Sequence, residues 1–181
     1  MRKCPSVDEF RNLYAKEQTI RKQGTCKVHQ VVLRTSTSGA RLACKSSERK
    51  DERALERWAL ELAIHQTVSG HPHIVAFHAA YFSELNIIAG ARCNLLMELC
   101  RECLLEFISF WHQVELKDVG LFAKDMCMGL RHTHDCSVLQ RDMKLGNCLL
   151  QHVPGQRLVL KICDFGNSVF LTRAGDQRFP A

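Results

Sequence analysis

The stretch Gln140-Arg141-Asp142-Met143-Lys144-Leu145-Gly146-Asn147 places an acid, a base and an amide close together along the chain. Seventeen residues after its last asparagine comes Asp164-Phe165-Gly166, directly after the apolar run 158–163, which we expect to form a strand. An aspartate and an asparagine that converge are suitable oxygen ligands for Mg²⁺, and a second aspartate can accept a proton from a hydroxyl. A nearby lysine can neutralise phosphate charge. The two stretches therefore predict a site for phosphate chemistry.

The sequence before this site mixes strand-like segments with one helix. Apolar and β-branched residues predict strands at residues 19–20, 27–33, 40–45, 74–82 and 94–99. Leu55, Trp58 and Leu62 recur at helical spacing, and this pattern predicts a helix with Glu61 on the flank of its apolar stripe. Between the strands and the catalytic stretch, the sequence predicts two further helices, at residues 103–110 and 116–134.

Taken together, these features resemble the catalytic domain of eukaryotic protein kinases of the serine/threonine type. Residues 140–147 resemble the catalytic loop H-R-D-L-x-x-x-N, and residues 164–166 match D-F-G. Residues 42–45 (Leu-Ala-Cys-Lys) resemble V-A-I-K on the third strand, and residues 97–100 (Met-Glu-Leu-Cys) are similar to the hinge that receives adenine. D-F-G alone is a weak signal, but these motifs in this order and spacing are a specific one.

The resemblance implies a role for each charged residue of these motifs. Asp142 would be the catalytic base that orients the substrate hydroxyl, and Lys144, two residues later, is typical of serine/threonine kinases. Lys45 would hold the α- and β-phosphates of ATP, with Glu61, sixteen residues later, as its partner. Arg141 would pair with a phosphorylated residue of the activation segment.

The resemblance also implies a nucleotide site and a metal site. Mg²⁺ would be held by Asn147 and Asp164. The residues expected to contact ATP are Gly24, Val31, Ala43, Lys45, Met97, Glu98, Cys100 and Leu149. Of these, Val31, Ala43 and Leu149 would enclose the adenine. In the activation segment, Ser168 and Thr172 are candidate phosphorylation sites.

Several departures from the family pattern leave a second hypothesis open. Aligned with residues 24–31, the glycine-rich template G-x-G-x-x-G-x-V matches only at Gly24 and Val31, and side chains at Cys26 and His29 restrict the approach of backbone to phosphate. Gln140 replaces the histidine of H-R-D, and the chain stops at Ala181, before any A-P-E segment. The alternative is therefore a catalytically weak or inactive kinase-like module that binds ATP or acts as a scaffold.

The expected fold is α+β and bilobal. It has a small lobe with a five-stranded antiparallel sheet and one helix, followed by an incomplete helical lobe. We expect an N-terminal extension at 1–18, the small lobe at 19–99, and part of the second lobe at 100–181, ending in the activation segment. Residues 144–147 and 160–163 are similar to the calcium/calmodulin-dependent group of kinases.

Composition narrows the class of protein and its partners. The chain has 181 residues, of which 46% are hydrophobic, and this fraction is ordinary for a globular protein. The net charge is +6, and the basic residues form no cluster, so we expect no nucleic-acid partner. The resemblance implies ATP and a protein substrate with Ser or Thr hydroxyls. We expect no signal peptide, because residues 4–9 supply no apolar segment after the basic residues 1–3. We expect no membrane span, because the longest apolar runs are well short of ~18 residues.

The chain has ten cysteines, and their spacing gives no disulfide framework. We therefore predict free thiols in an intracellular, cytoplasmic protein. Cys100 and Cys103 have the spacing of a metal-binding pair. No second pair accompanies them, so we interpret them as packing residues.

Overall fold

Five strands from the first half of the chain pair into an antiparallel sheet with the order β1-β2-β3-β5-β4. They are β1 Tyr14–Gln23, β2 Cys26–Leu33, β3 Arg41–Arg49, β4 Phe77–Phe82 and β5 Ala91–Glu98. The computed structural model describes residues 6–35, 39–83, 90–110, 115–152, 155 and 157–171. The predicted five-stranded antiparallel sheet is confirmed. Its first strand begins at Tyr14, inside the segment 1–18 that the sequence analysis assigns to an extension.

One face of this sheet packs against the helix α2, Glu52–Val68. The helix begins after Asp51, whose side chain accepts a hydrogen bond from the backbone N–H of Ala54 at 2.7 Å. This contact satisfies one of the free donors in the first helical turn. Trp58 is buried in the apolar cluster between helix and sheet, and Glu61 is buried on the same helix. The helix that the apolar spacing predicts therefore carries Glu61 to the sheet.

The other face of the sheet is covered by the short helix α1, Val7–Leu13. Phe10 is buried there, with its ring centroid 5.5 Å from that of Tyr14 and 5.6 Å from that of Tyr81. Such aromatic contacts stabilise a cluster beyond the area that they bury. Residues ahead of the first strand therefore form part of this lobe.

The second half of the chain combines helices with short pieces of sheet. Its elements are β6 Glu102–Cys103, α3 Leu104–Phe110, α4 Leu116–Asp135, β7 Val138–Leu139, a 3₁₀ turn Leu145–Asn147, β8 Cys148–His152, β9 Leu158–Ile162 and β10 Val169–Phe170. Strands β6, β8 and β9 form one small sheet, and β7 pairs with β10. The sequence predicts both helices and β9, but not the other strands. In the described part of the chain, no helix has the length and apolar character needed to cross a bilayer.

Helix α4 approaches β9 and the loop before β4 closely at Gly129. A Cβ atom at this position would lie 2.9 Å from the carbonyl oxygen of His73 and 2.9 Å from Cδ1 of Ile162. Both distances are too short for non-bonded contact, so a larger residue would push the helix away. Gly129 therefore lets α4 and β9 share one buried core with Phe165.

A buried ionic contact fixes the same two elements. Asp125 on α4 is 1% exposed and accepts two hydrogen bonds from the guanidinium of Arg157, at 2.6 and 2.8 Å. It also accepts one from the backbone N–H of Leu160 on β9, at 3.0 Å. Burial by itself would raise the pKa of Asp125, but these hydrogen bonds outweigh it and lower the pKa. The start of β9 is thus held to α4 through a charge that stays ionised.

Candidate active site

A cavity lies between the five-stranded sheet and the second half of the chain, where the predicted motifs meet. Its apolar lining includes Val28, Ala43, Leu95, Met97, Leu149 and Cys163. Its charged lining includes Lys45, Glu61 and Asp164. An apolar slot with charged groups beside it suits a nucleotide, whose base has apolar faces and whose phosphates are anionic.

Lys45, Glu61 and Asp164 form one connected ionic contact at the cavity. Lys45 Nζ donates to Glu61 Oε1 at 2.5 Å and to Asp164 Oδ1 at 2.8 Å. Burial alone would lower the pKa of Lys45, but the charges of the two carboxylates outweigh burial and raise it. Burial would likewise raise the pKa of Asp164, but Lys45 lowers it. The contact thereby holds β3, α2 and the segment after β9 together, and all three side chains remain charged.

Asp142 lies beside this contact and is held by neighbours on its own loop. Its Oδ2 atom accepts hydrogen bonds from Lys144 Nζ at 2.7 Å and from Asn147 Nδ2 at 3.1 Å. The hydrogen bond from Lys144 is the main reason that the pKa of Asp142 is lowered. Asp142 is therefore ionised at neutral pH, as a group that accepts a proton from a hydroxyl must be.

The buried side chain of Gln140 joins the two catalytic stretches. Its Nε2 atom donates to the backbone oxygen of Asp164 at 3.1 Å, and its Oε1 atom accepts from the backbone N–H of Asp142 at 2.6 Å. Both partners are backbone groups, so the side chain sets position and takes no part in chemistry.

Two backbone segments of the site adopt the left-handed conformation without being glycine. Arg141 has φ +60° and Asp164 has φ +61°. Non-glycine residues in this conformation store strain and persist only where their surroundings fix them. Next to Asp164, a Cβ atom on Gly166 would lie 3.3 Å from Asp164 Oδ1 and 3.5 Å from Glu61 Oε2. Gly166 therefore leaves room for the two carboxylates.

The donor atoms present fit a magnesium ion. Asn147 uses its amide nitrogen to bond with Asp142, so its amide oxygen is the atom left for a cation, and both Asn147 and Asp164 line the cavity. Among the described residues no group of three His, Cys, Asp or Glu side chains forms a metal site. Mg²⁺ does not need one, because it is commonly bound by one or two protein oxygens together with substrate phosphates.

Most residues predicted to contact the nucleotide line the cavity. They are Ala43, Lys45, Met97, Glu98, Cys100 and Leu149. Asp142 and Lys144 lie outside the cavity lining, next to Asn147, where a second substrate could approach. We call Lys45, Glu61, Asp142, Asn147 and Asp164 the ionic cluster.

The prediction for Val31 is wrong. Val31 is fully buried on the opposite face of the sheet, in the apolar cluster that contains Phe10 and Tyr81. Successive residues of a strand point to opposite faces, so Val28, three residues earlier on β2, faces the cavity in its place. Gly24 also lies outside the cavity lining; it forms the turn between β1 and β2, where its φ is +56°.

This correction shifts the register of the glycine-rich template by three residues. With the template valine at Val28, its three glycines fall on Arg21, Gln23 and Cys26, and all three line the cavity. Sequence reasoning missed these residues because it aligned the template on Gly24. Because side chains alternate between the two faces of a strand, the alternation along β1 and β2 could have identified Arg21, Gln23 and Cys26. We call residues 21–26 the β1–β2 turn.

A model of one family, described as the protein kinase domain, matches residues 14–179. The chain belongs to the protein kinase family. The predicted resemblance to serine/threonine kinase catalytic domains is thereby confirmed, and β1 from Tyr14 onward is part of the kinase domain. The assignment to the calcium/calmodulin-dependent group stays a prediction.

Three curated relatives of this kinase domain carry protein kinase names, two of them serine/threonine-protein kinase names. The chain is 29% identical over 168 residues to the "Probable serine/threonine-protein kinase CCRP1" of Zea mays, covering 91% of this chain and 25% of that protein. It is 32% identical over 144 residues to "Calcium-dependent protein kinase 9" of Arabidopsis thaliana, covering 75% and 25%. It is 30% identical over 118 residues to "Serine/threonine-protein kinase DCLK3" of Homo sapiens, covering 62% and 16%. The chain thus spans a quarter or less of these relatives' length.

Proposed function

We propose that the protein is a serine/threonine kinase that transfers the γ-phosphoryl group of ATP to protein hydroxyls, with Mg²⁺ as cofactor. The observation that carries this proposal is the convergence of four members of the ionic cluster, Lys45, Glu61, Asn147 and Asp164, at one apolar cavity. Segments far apart in sequence bring Lys45 into contact with Glu61 and Asp164, and Asp142 is bonded to Asn147 beside them. Phosphoryl transfer depends mainly on positioning and electrostatic stabilisation, and such a cluster supplies both.

Each member of the cluster has a task in this reaction. Lys45, held by Glu61, binds phosphate oxygens, because a fixed ammonium group complements their charge. Asp142 accepts a hydrogen bond from the substrate hydroxyl, and Lys144 beside it stabilises negative charge on the transferred group. Asn147 and Asp164 would hold Mg²⁺, which neutralises phosphate charge when bound. No side chain forms a covalent intermediate in this scheme.

Regulation by phosphorylation of the activation segment is part of the proposal. The guanidinium of Arg141 donates to the backbone oxygen of Asn167 in that segment at 2.7 Å, so it is positioned near a phosphate placed there. Ser168 is 3% exposed, and its hydroxyl donates to the backbone oxygen of Gln140 at 3.0 Å. A kinase could not reach it in this conformation. Thr172, the other candidate, lies outside the described residues.

We also propose a cytoplasmic location for the protein. All nine cysteines among the described residues are free thiols, and this supports a reducing, cytoplasmic location. Burial raises the pKa of several, to about 11 at Cys148, and a protonated thiol is the less reactive form.

One observation favours a second function, nucleotide binding without transfer. The β1–β2 turn presents the side chains of Arg21, Gln23 and Cys26 to the cavity at the three template glycine positions. Glycines at such positions let backbone N–H groups approach phosphate. A regulator that binds ATP without transferring phosphate would not need this close contact between backbone N–H groups and phosphate.

Transfer of labelled phosphate separates the two functions. ATP labelled at the γ-position would be incubated with the protein, Mg²⁺ and a mixture of peptides containing Ser and Thr. We expect incorporation by the wild type and none by Lys45→Met or Asp164→Ala, whereas Lys27→Met and Asp135→Ala, at exposed positions, should retain it. Incorporation of phosphate by both site variants would refute the proposed kinase activity of this site. ATP binding by the wild type without incorporation would favour the regulator.

A further inference from the structure

The part of the cavity formed by the β1–β2 turn carries a cation that the family template does not supply. Arg21 stands at the first template glycine and lines the cavity. Its Nη1 atom lies 3.4 Å from the backbone oxygen of Gly146, a long hydrogen bond to the loop that ends in Asn147. The guanidinium therefore lies between the two lobes, beside the residues that face the phosphates in the proposed function.

Charge pairing sets Arg21 apart from the other cations of the cavity. Lys45 is paired with Glu61 and Asp164, and Arg101 is paired with Glu102 at 3.1 Å. Within the described residues, no carboxylate lies within ion-pair distance of Arg21. A guanidinium has five N–H donors, and the contact with Gly146 uses one of them. The remaining donors are available to an anionic ligand.

The absence of a side chain at Gly146 makes room for this cation. A Cβ atom there would lie 3.6 Å from Nη2 and 3.9 Å from Nη1 of Arg21, so any longer side chain would meet the guanidinium. The β1–β2 turn and the catalytic loop are therefore complementary in shape, because the guanidinium of Arg21 packs against a glycine that has no side chain.

We propose that Arg21 is a phosphate-binding residue for the nucleotide, replacing with its guanidinium the backbone N–H groups that a glycine-rich loop would offer. The inference rests on the proposed function, since it assigns Arg21 to the same nucleotide site. A guanidinium fork matches two phosphate oxygens, and the contact is charge-assisted. Arg21 is solvent-exposed, so salt should weaken the contact.

The test compares ligands that differ only in phosphate. Dissociation constants of adenosine, ADP and ATP would be measured by calorimetry, with a chelator present so that no metal bridges protein and phosphate. The variants are Arg21→Gln, Arg21→Lys and, as a control, Lys22→Gln. Lys22 is the next residue of the same strand, is exposed, and lies outside the cavity lining, so its substitution removes an equal charge from the opposite face.

For Arg21→Gln, we expect the dissociation constants of ADP and ATP to rise about tenfold, with adenosine unchanged. Arg21→Lys should recover part of the loss, and Lys22→Gln should bind all three ligands as the wild type does. Unchanged ATP binding in Arg21→Gln would overturn the inference alone, and so would an equal loss for adenosine or an equal loss in Lys22→Gln. A wild type that binds none of the three ligands would overturn the proposed function as well.

Discussion

The ionic cluster, apart from Asp142, lines the same cavity as residues of the β1–β2 turn, but the two regions relate to the family pattern in opposite ways. In the cluster, each charged residue of the motifs is present and paired, with Lys45 bonded to both Glu61 and Asp164. In the turn, all three template glycines are replaced by residues with side chains. The cluster supplies charges at fixed points, whereas glycines supply close backbone approach. In our proposal the guanidinium of Arg21 binds phosphate in place of the backbone, whereas the cluster keeps the residue types of the motifs.

We expect the ionic cluster and the β1–β2 turn to control different kinetic parameters. Asp142→Asn keeps the shape of the side chain but removes the proton acceptor, so we expect kcat to fall by about 10²–10⁴-fold with little change in KM for ATP. Arg21→Gln should act mainly on KM for ATP. Steady-state kinetics of peptide phosphorylation measures both parameters. If both substitutions changed the same parameter, the division of tasks would be wrong.

A second prediction concerns the support of the ionic cluster. Asp125→Ala removes the acceptor that holds Arg157 and the backbone of Leu160, so β9, which leads to Asp164, loses its attachment to α4. We expect the free energy of unfolding to fall by about 2–4 kcal/mol in urea denaturation. Asp135→Ala, at an exposed position of the same helix, should change it by less than about 0.5 kcal/mol. Equal effects would mean that the buried charge does not hold β9.

The turn can be tested by restoring one template glycine. Cys26→Gly removes a Cβ atom that lines the cavity, which lets backbone come closer to phosphate. We expect ATP to bind about two- to threefold more tightly, with adenosine unchanged. The comparison of the two ligands is the control. A gain for adenosine as well would show that the side chain acts on the base and not on the phosphates.

A pH dependence of stability is expected at His65, beneath the ionic cluster. Its ring packs 5.4 Å from that of Phe165, and burial lowers its pKa below the usual 6.5. The folded chain therefore keeps His65 neutral while the unfolded chain takes up a proton below about pH 6.5, so stability is present above that pH and falls as the pH decreases. His65→Leu should reduce the loss between pH 7 and 5.5 by about 1 kcal/mol. His78→Leu, at an exposed position, should leave the loss unchanged.

The sequence predicted the ionic cluster well because its residues are recognisable by type and spacing. Asp142, Asn147 and Asp164 lie in short motifs, and the helical period places Glu61 on the face that meets Lys45. The five-stranded sheet followed from short apolar runs, although β1 extends from Tyr14 to Gln23 and not only over residues 19–20.

The cavity-lining residues of the β1–β2 turn were harder to predict from the sequence, because the family template there consists of glycines that this chain lacks. Alignment on Gly24 moved the expected adenine contact to Val31, which points to the other face of the sheet. The buried pairing of Asp125 with Arg157 lies outside every motif and depends on the approach of α4 to β9. Contacts of this kind arise from packing between distant segments, which short-range patterns do not contain.

We infer that the ionic cluster forms a working Mg²⁺-nucleotide site. Calorimetric titration of ATP with and without Mg²⁺, in the wild type and in Asp164→Asn, tests this inference. We predict that Mg²⁺ tightens ATP binding by about tenfold in the wild type and has little effect in the variant, because the carboxylate that would hold the ion is gone. An equal effect of Mg²⁺ in both proteins, or no binding of ATP by the wild type, would contradict the claim.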